Sequence, residues 1–141
     1  MSAVLHPPNR ITRELRAMAR RVPKKLLVRA QDGWDTSPFP LLWVMTDAAS
    51  KQLVAFATAG IEGDVFHVKG QGVLPKWRGH GYQRRLLAAQ LRYAKRLGFR
   101  VVRTYAKVNN ARSIANLVRG GLIPVSVRDG FVYFEKDLAP T

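Results

Sequence analysis

The feature that most constrains this chain is the stretch Val73–Leu87, which joins a strand end, a glycine turn and a helix start. Pro75 has no backbone donor and is expected to end the preceding strand. Gly79 and Gly81 permit positive φ, so that successive backbone N–H groups can face one concavity. The helix that follows places its positive end beside those amides. The stretch therefore predicts a site for an anion, of which a phosphate or pyrophosphate is the natural example.

Neither of the common nucleotide-binding motifs accounts for this stretch. The chain has no G-x-x-x-x-G-K-[ST] segment, and Arg84 holds the place of the third glycine in G-x-G-x-x-G. Arg78, Arg84 and Arg85 instead add positive charge around the turn.

The spacing V-x-P-x-x-R-G-x-G, followed by an amphipathic helix, resembles the acyl-CoA-binding motif of the GNAT superfamily of N-acyltransferases. In that family an R/Q-x-x-G-x-G/A loop holds the pyrophosphate of coenzyme A. Gln83 stands where the last Gly or Ala usually sits, although its backbone N–H is still available. The resemblance implies that the following residues bind the coenzyme: Val73, Leu74, Arg78, Gly79, His80, Gly81, Tyr82, Gln83 and Arg84.

A second segment resembles the same family. Asn110-Ala111-Arg112-Ser113-Ile114, followed by Gly121-Leu122, is similar to the family's N-x-x-[AS]-I … G-F segment, which adds Asn110 and Ser113 to the coenzyme-binding residues. The resemblance covers about Val65–Leu122, and the N-terminal third matches only in its order of elements. It implies an α/β (α+β) fold, with a mixed, mostly antiparallel central sheet of about six to seven strands flanked by about four helices.

Hydrophobic patterning predicts the individual elements. The expected helices are Ile11–Val22, Tyr82–Leu97 and Ala111–Arg119, and the expected strands are Leu41–Thr46, Leu53–Ile61, Val65–Leu74, Phe99–Val108, Leu122–Val127 and Phe131–Lys136.

Two details of this pattern concern the centre of the predicted fold. Leu87, Leu91, Ala94 and Leu97 form the expected buried stripe of the central helix. Gly70 and Gly72 interrupt a strand and suggest a bulge. A strand edge opened there would suit the pantetheine arm of coenzyme A, which is peptide-like and can bond as an extra strand.

Length and composition exclude several classes of protein. A chain of 141 residues is expected to form one domain, here a single GNAT-like domain over residues 1–141 with residues 1–9 as a flexible arm. The absence of cysteine excludes disulfides and cysteine chemistry, and the three histidines show no metal-ligand spacing. No apolar run has the length of a membrane span or a signal peptide, so a cytoplasmic protein is expected.

The charge is strongly positive and unevenly distributed. The chain has 24 Lys and Arg against 9 Asp and Glu, a formal net charge of +15, and between Val65 and Arg128 there are 14 Lys or Arg and no acid. A coenzyme A molecule could use several of these cations, and the excess suggests a second polyanion: nucleic acid, the ribosome or an acidic protein surface. The alternative is a surface that is basic for solubility.

The reaction implied by the resemblance is direct transfer of the acetyl group of acetyl-CoA to a primary amine. It needs a neutral amine, a stabilised oxyanion and a proton for the leaving thiolate. The family places a strand N–H against the thioester oxygen, here near Val73. His67 is the candidate base, because histidine titrates near neutral pH. The alternative is that His67 is a half-buried structural residue of the strand. Glu62 and Asp64 are rival bases or solvated turn residues.

The usual proton donor is missing. The family's tyrosine falls seven residues after Asn110, and Leu117 holds that position. Tyr105 and Ser113 could replace it, although Tyr105 could instead pack on the sheet. It therefore stays possible that the domain binds acyl-CoA without efficient turnover.

The acceptor has several candidates. An amine carried by nucleic acid, such as aminoacyl-tRNA, a ribosomal component or a base, suits the acid-free segment, whereas a small cationic amine would be repelled. A GNAT-fold module that binds nucleic acid or protein without catalysis is the rival from another class. Trp34 and Phe39 could line the acceptor site or only pack a loop. Members of the family often form homodimers, so a homodimer is also considered.

Overall fold

The computed structural model of the protein describes residues 3–6, 9–10 and 41–138. The predicted helix Ile11–Val22 and the acceptor-site candidates Trp34 and Phe39 lie outside the described residues. The strands are β1 Ala3–Leu5, β2 Asn9–Arg10, β3 Leu41–Asp47, β4 Leu53–Glu62, β5 Val65–Val73, β6 Val101–Lys107, β7 Ile123–Arg128 and β8 Phe131–Asp137. The helices are a 3₁₀ turn at Pro75–Trp77, α1 Tyr82–Arg96 and α2 Ala111–Arg119.

The sheet confirms the predicted fold class. Its strands follow the order β1-β3-β4-β5-β6-β8-β7, with β2 paired to β3 off this path. All pairs are antiparallel except β5 with β6, which is parallel. The described part contains two α-helices, fewer than the four or so predicted for the whole chain. None of these helices is long and apolar enough to cross a membrane.

The segment predicted as a flexible arm contains a short strand. Ala3–Leu5 pairs with β3, where Val4 stands opposite Thr46. The Nε2 atom of His6 lies 2.7 Å from Oγ1 of Thr46. The edge of β3 offers backbone groups that need partners, and the extended segment Ala3–Leu5 supplies them.

The core lies where α1 covers the middle of the sheet. Trp43 of β3 packs edge-on against Phe66 of β5 and Tyr93 of α1, with ring centroids 6.1 Å and 5.4 Å away. Trp43 and Phe66 are almost completely buried. Burial of each such side chain contributes roughly 1.5–3 kcal/mol, so this cluster anchors α1 to the strands that carry the site.

The buried stripe of α1 was predicted only in part. Leu87 and Ala94 are buried and Leu91 is half-buried, but Leu97 is 55% exposed. Leu97 lies beyond the end of the helix, and Gly98 at φ +88° turns the chain away there. The buried face is completed instead by Tyr82, Leu86 and Gln90.

The strands β5 and β6 separate in the middle of the sheet. They pair only from Val65–His67 to Val101–Arg103. Beyond that point β5 contains the bulge that Gly70 and Gly72 predicted, because Ala59 pairs with Val68 whereas Ala57 pairs with Gln71. The extra residue bends β5 away from β6. The result is a wedge-shaped opening, called the wedge below, between residues 68–73 of β5 and residues 104–107 of β6.

Candidate functional site

The wedge is part of one cleft of about 1110 Å³. Its walls come from β5, the glycine loop at residues 77–81, the first turn of α1, β6 and α2. The cleft therefore brings together the two segments on which the sequence analysis relied, around Gly79 and around Asn110. Of the predicted site residues, those that line it are Val73, Arg78, Gly79, Gly81, Tyr82, Gln83, Arg84, Tyr105, Asn110 and Ser113.

The glycine loop has the predicted backbone. Gly79 and Gly81 adopt φ values of +81° and +78°, which side chains other than glycine rarely accept. A methyl group built on either would meet no heavy atom of the described residues within 4 Å, so that backbone conformation, and not crowding among these residues, requires glycine there. Gly81 is the N-cap of α1, and no side chain in the part of the chain that the structure describes caps the helix. The first N–H groups of α1 are thus left for an anion in the cleft.

Two side chains hold the shape of this loop. Nε of Arg78 donates a hydrogen bond to the carbonyl of Val73 at 3.1 Å. Nδ1 of His80 lies 3.1 Å and 3.0 Å from the carbonyls of Trp77 and Arg78, so Nδ1 must carry the proton. The His80 ring also stacks on Tyr82, with centroids 5.8 Å apart. His80 and Leu74 are not among the described residues that line the cleft.

Gln83 connects the loop to α2. Its Oε1 accepts a hydrogen bond from Nδ2 of Asn116 at 3.2 Å, and both residues line the cleft. The larger side chain at this position therefore braces α1 against α2 across the cleft. Asn110 caps α2, because its Oδ1 accepts a hydrogen bond from the N–H of Ser113 at 3.2 Å.

Buried hydroxyl and amide groups satisfy the backbone where the strands separate. Oγ1 of Thr104 donates to the carbonyl of Val68 at 3.0 Å, and Oγ1 of Thr58 donates to that of Gly70 at 3.0 Å. Nε2 of the fully buried Gln90 donates to the carbonyl of Thr58 at 3.1 Å. Without these partners the bulge would bury unpaired carbonyls, at a cost of about 1–3 kcal/mol each.

His67 lies at the closed end of the wedge. It pairs with Arg103 in the last parallel step before the strands separate. Its Nε2 is 3.4 Å from a carboxylate oxygen of Glu62. Burial and then the positive charge of Lys69 lower the pKa of His67 below its ordinary 6.5, although Glu62 acts in the opposite direction. The imidazole is therefore mainly neutral at pH 7. His67, Glu62 and Asp64 are not among the described residues that line the cleft.

The two candidate proton donors do line the cleft. Tyr105 is 47% exposed and packs edge-on against Phe131, with centroids 5.4 Å apart. Ser113 lies in the first turn of α2. Leu117, which holds the position of the family's tyrosine, is buried and presents an apolar side chain to the cleft.

The cleft is electropositive. Among the described residues that line it there is no Asp or Glu, whereas six carry a positive charge: Lys69, Arg78, Arg84, Lys107, Arg112 and Arg119. In the part of the chain that the structure describes, no three His, Asp or Glu side chains are grouped as metal ligands. The site can therefore attract an anion and stabilise negative charge that develops in a reaction.

Several residues of the cleft were not predicted from the sequence. Lys69, Lys107 and Asn116 line it, and Thr58 and Thr104 support its walls. The segment Val65–Arg128, which contains no acid, indicated that cations would be abundant. It did not indicate which of them would line the same cleft. The sequence offered one signal for these buried hydroxyls: Thr58 lies within an apolar run, and Thr104 shares its strand face with Val102 and Ala106.

Comparisons with known proteins agree with this geometry. The model of the acetyltransferase (GNAT) family matches residues 9–119. No curated protein matches the chain. The ribosomal-protein-S18-alanine N-acetyltransferase of Escherichia coli superposes with a TM-score of 0.76 at 14% identity, covering 99% of this chain and 96% of that one.

Two further structures contain the coenzyme. The Bacillus subtilis acetyltransferase in complex with CoA has a TM-score of 0.71 at 10% identity, covering 97% of this chain and 98% of that one. A Salmonella typhimurium protein with acetyl-CoA has a TM-score of 0.61 at 19% identity, covering 72% of this chain and 66% of that one. At these identities the structures establish the fold. Together with the family match over residues 9–119, they show that the chain belongs to the GNAT acetyltransferase family.

Proposed function

We propose that the protein is a cytoplasmic N-acetyltransferase that transfers the acetyl group of acetyl-CoA to a primary amine. One observation carries the proposal: the uncapped amide nest at Gly79–Gly81 opens into the same cleft as the wedge between β5 and β6. A pyrophosphate and a peptide-like arm need these two features side by side.

The residues present fit acyl-CoA. The N–H groups at the start of α1 would hold the pyrophosphate, with Arg78 and Arg84 beside it. Among the described residues, the edge of β5 that faces the wedge has no strand partner beyond His67, and it would bond the pantetheine arm. The thioester would then lie near Val73, whose backbone N–H is the candidate oxyanion donor.

The chemistry requires that the attacking amine lose a proton, and it releases a thiolate that can take one up. The nitrogen of the acceptor attacks the carbonyl carbon, and the ammonium formed must lose a proton. We propose His67, which is mainly neutral at pH 7, as the base, acting through water because its ring lies at the closed end of the wedge. The hydroxyls of Tyr105 and Ser113 are the candidate donors to the sulfur.

The solvent-facing charge favours an acceptor on an anionic macromolecule. Five exposed cations follow one side of α1: Arg84, Arg85, Arg92, Lys95 and Arg96. Like charges at i,i+4 spacing, as in Arg92 and Arg96, cost helix stability, and a polyanion offsets that cost. We therefore favour an acceptor amine that is carried by nucleic acid or by a ribosomal protein. The second kind of acceptor is the one named for the Escherichia coli neighbour. The same surface would serve a module that binds nucleic acid or an acidic protein without turnover.

Calorimetric titration separates these proposals. We expect acetyl-CoA and desulfo-CoA to bind much more tightly than ATP at moderate salt, because ATP supplies phosphates without a pantetheine arm. Equal weak binding of all three would contradict the acyl-CoA site and leave a polyanion-binding module. In a second titration, the affinity for single-stranded RNA should fall steeply as salt rises. Absence of RNA binding even at low salt would exclude a nucleic-acid acceptor.

A further inference from the structure

We propose that Lys69 and Lys107 stabilise the sulfur of coenzyme A as a thiolate when it leaves, so that the reaction needs no proton donor from the protein. This inference rests on the proposed acyl-CoA site. It accounts for an acetyltransferase that has Leu117 where the family has a tyrosine.

The two lysines stand on opposite walls of the wedge. Lys69 belongs to the bulge of β5 and is half-buried, whereas Lys107 is the last residue of β6 and is exposed. Both line the cleft. The hydrogen bond from Thr104 to the carbonyl of Val68 marks where these walls meet. A pantetheine arm that follows β5 from Val73 towards the closed end would carry its sulfur between the two walls that hold Lys69 and Lys107.

The positive potential between these walls is not neutralised by acids lining the cleft. All charged groups among the described lining residues are cations: Lys69 on β5, Arg78 in the loop, Arg84 on α1, Lys107 on β6, and Arg112 and Arg119 on α2. The other titratable lining groups are the phenols of Tyr82 and Tyr105.

Asp129 lies near Lys107, because the carbonyl of the adjacent Gly130 accepts a hydrogen bond from the N–H of Val108, but it is not among the described residues that line the cleft. Two other acids on the flanking strands have partners of their own. Glu62 lies beside His67 at the closed end of the wedge, and Glu135 forms an ion pair with Arg103 at 2.8 Å. Neither is among the described residues that line the cleft. The lysines are therefore available to a developing negative charge.

The chemical step balances without a protein acid. The amine nitrogen forms a bond to the carbonyl carbon, the C–S bond breaks, and sulfur leaves with the electron pair as a thiolate. The proton lost from the nitrogen passes to the base and then to solvent. Nearby cations favour the ionised form of a thiol and lower its pKa. Leu117 is buried and apolar and offers the sulfur no proton, so the lowering depends on the two lysines. Tyr105 and Ser113 then donate hydrogen bonds to the sulfur without giving up a proton.

The test is the pKa of the thiol of coenzyme A bound to the protein, which requires no knowledge of the acceptor. The chain has no cysteine, so the coenzyme supplies the only thiol in the sample. Ultraviolet absorbance of the thiolate is followed against pH at saturating coenzyme A. The same titration with desulfo-CoA is subtracted to remove the ionisation of tyrosines.

We expect the pKa of the bound thiol to be lower than that of the thiol of free coenzyme A by at least about one pH unit. Lys69→Gln and Lys107→Gln should each raise it, and the double variant should return it close to the free value. Arg100→Gln removes one positive charge from an exposed position before β6, outside the described lining, and should leave it unchanged.

Two results would overturn the inference. One is a bound thiol in the wild-type protein with the pKa of free coenzyme A, and the other is a lowered pKa that survives in the double variant. Either result would leave the acyl-CoA site intact. Failure of the wild-type protein to bind coenzyme A at all would instead refute the proposed function together with the inference.

Discussion

The glycine loop and the wedge line the same cleft, but different parts of the chain determine their shapes. The side chains that hold the loop bond to residues two to five positions away, as His80 does to Arg78 and Arg78 to Val73. In the wedge, Thr104 bonds to Val68 across 36 positions, and Gln90 to Thr58 across 32. The loop is thus a local structure that a motif can describe, whereas the wedge exists only once β4, β5, β6 and α1 have assembled.

The largest effect is expected from a change in the loop. Gly81→Glu adds strain at φ +78° and a negative charge at the start of α1. Like charges about 4 Å apart cost several kcal/mol near a protein surface, so we expect at least about a hundredfold loss of acetyl-CoA affinity by calorimetry. Gly98→Glu is the matched control, because Gly98 has φ +88° at the far end of α1, outside the described lining. Equal loss of affinity in both variants would show that the effect is general instability.

A smaller effect is expected from the wedge. Thr104→Val keeps the shape of the side chain but leaves the carbonyl of Val68 without its hydroxyl partner. We expect the free energy of unfolding in urea to fall by about 1–3 kcal/mol and acetyl-CoA affinity to fall severalfold. Thr104→Ser restores the hydroxyl and should recover most of both. If stability fell and affinity did not, the separation of β5 and β6 would not depend on this bond.

The smallest effect concerns His67 and pH. Burial lowers the pKa of His67 below 6.5, so the folded protein binds fewer protons there than the unfolded chain does as the pH falls through 6.5. His67 thus contributes stability that is fully present above pH 6.5 and is lost as the pH decreases toward its lowered pKa. In His67→Asn the free energy of unfolding should change less between pH 7.5 and about 5.5 than in the wild type. An identical pH dependence in the two proteins would contradict this.

The same variant tests the assignment of the base. We propose that His67→Asn lowers turnover while acetyl-CoA affinity stays near the wild-type value, because the ring lies outside the described lining of the cleft. Wild-type turnover would make His67 a structural residue of the strand.

Prediction from the sequence succeeded where the signal was local and periodic. The predicted bounds of β3 to β8, α1 and α2 agree with the structure to within about two residues, since turns at Gly63, Gly98 and Gly130 end the elements between them. Prediction failed where contacts with other parts of the fold decide whether a side chain is buried. Leu97 continues the helical period but lies beyond the helix end and is exposed, whereas the polar Gln90 is completely buried because Thr58 accepts its hydrogen bond.

The sequence by itself determined the backbone of the candidate anion site, since the angles at Gly79 and Gly81 and the start of α1 depend on neighbouring residues alone. Only the tertiary structure decided what surrounds that site. It placed Lys69 and Lys107 on facing walls, left His67 at the closed end, and joined Gln83 to Asn116. These relations connect residues more than thirty positions apart, and a bulge of one residue in β5 changes which side chains meet. Such contacts follow from strand register and packing, which no single stretch of sequence specifies.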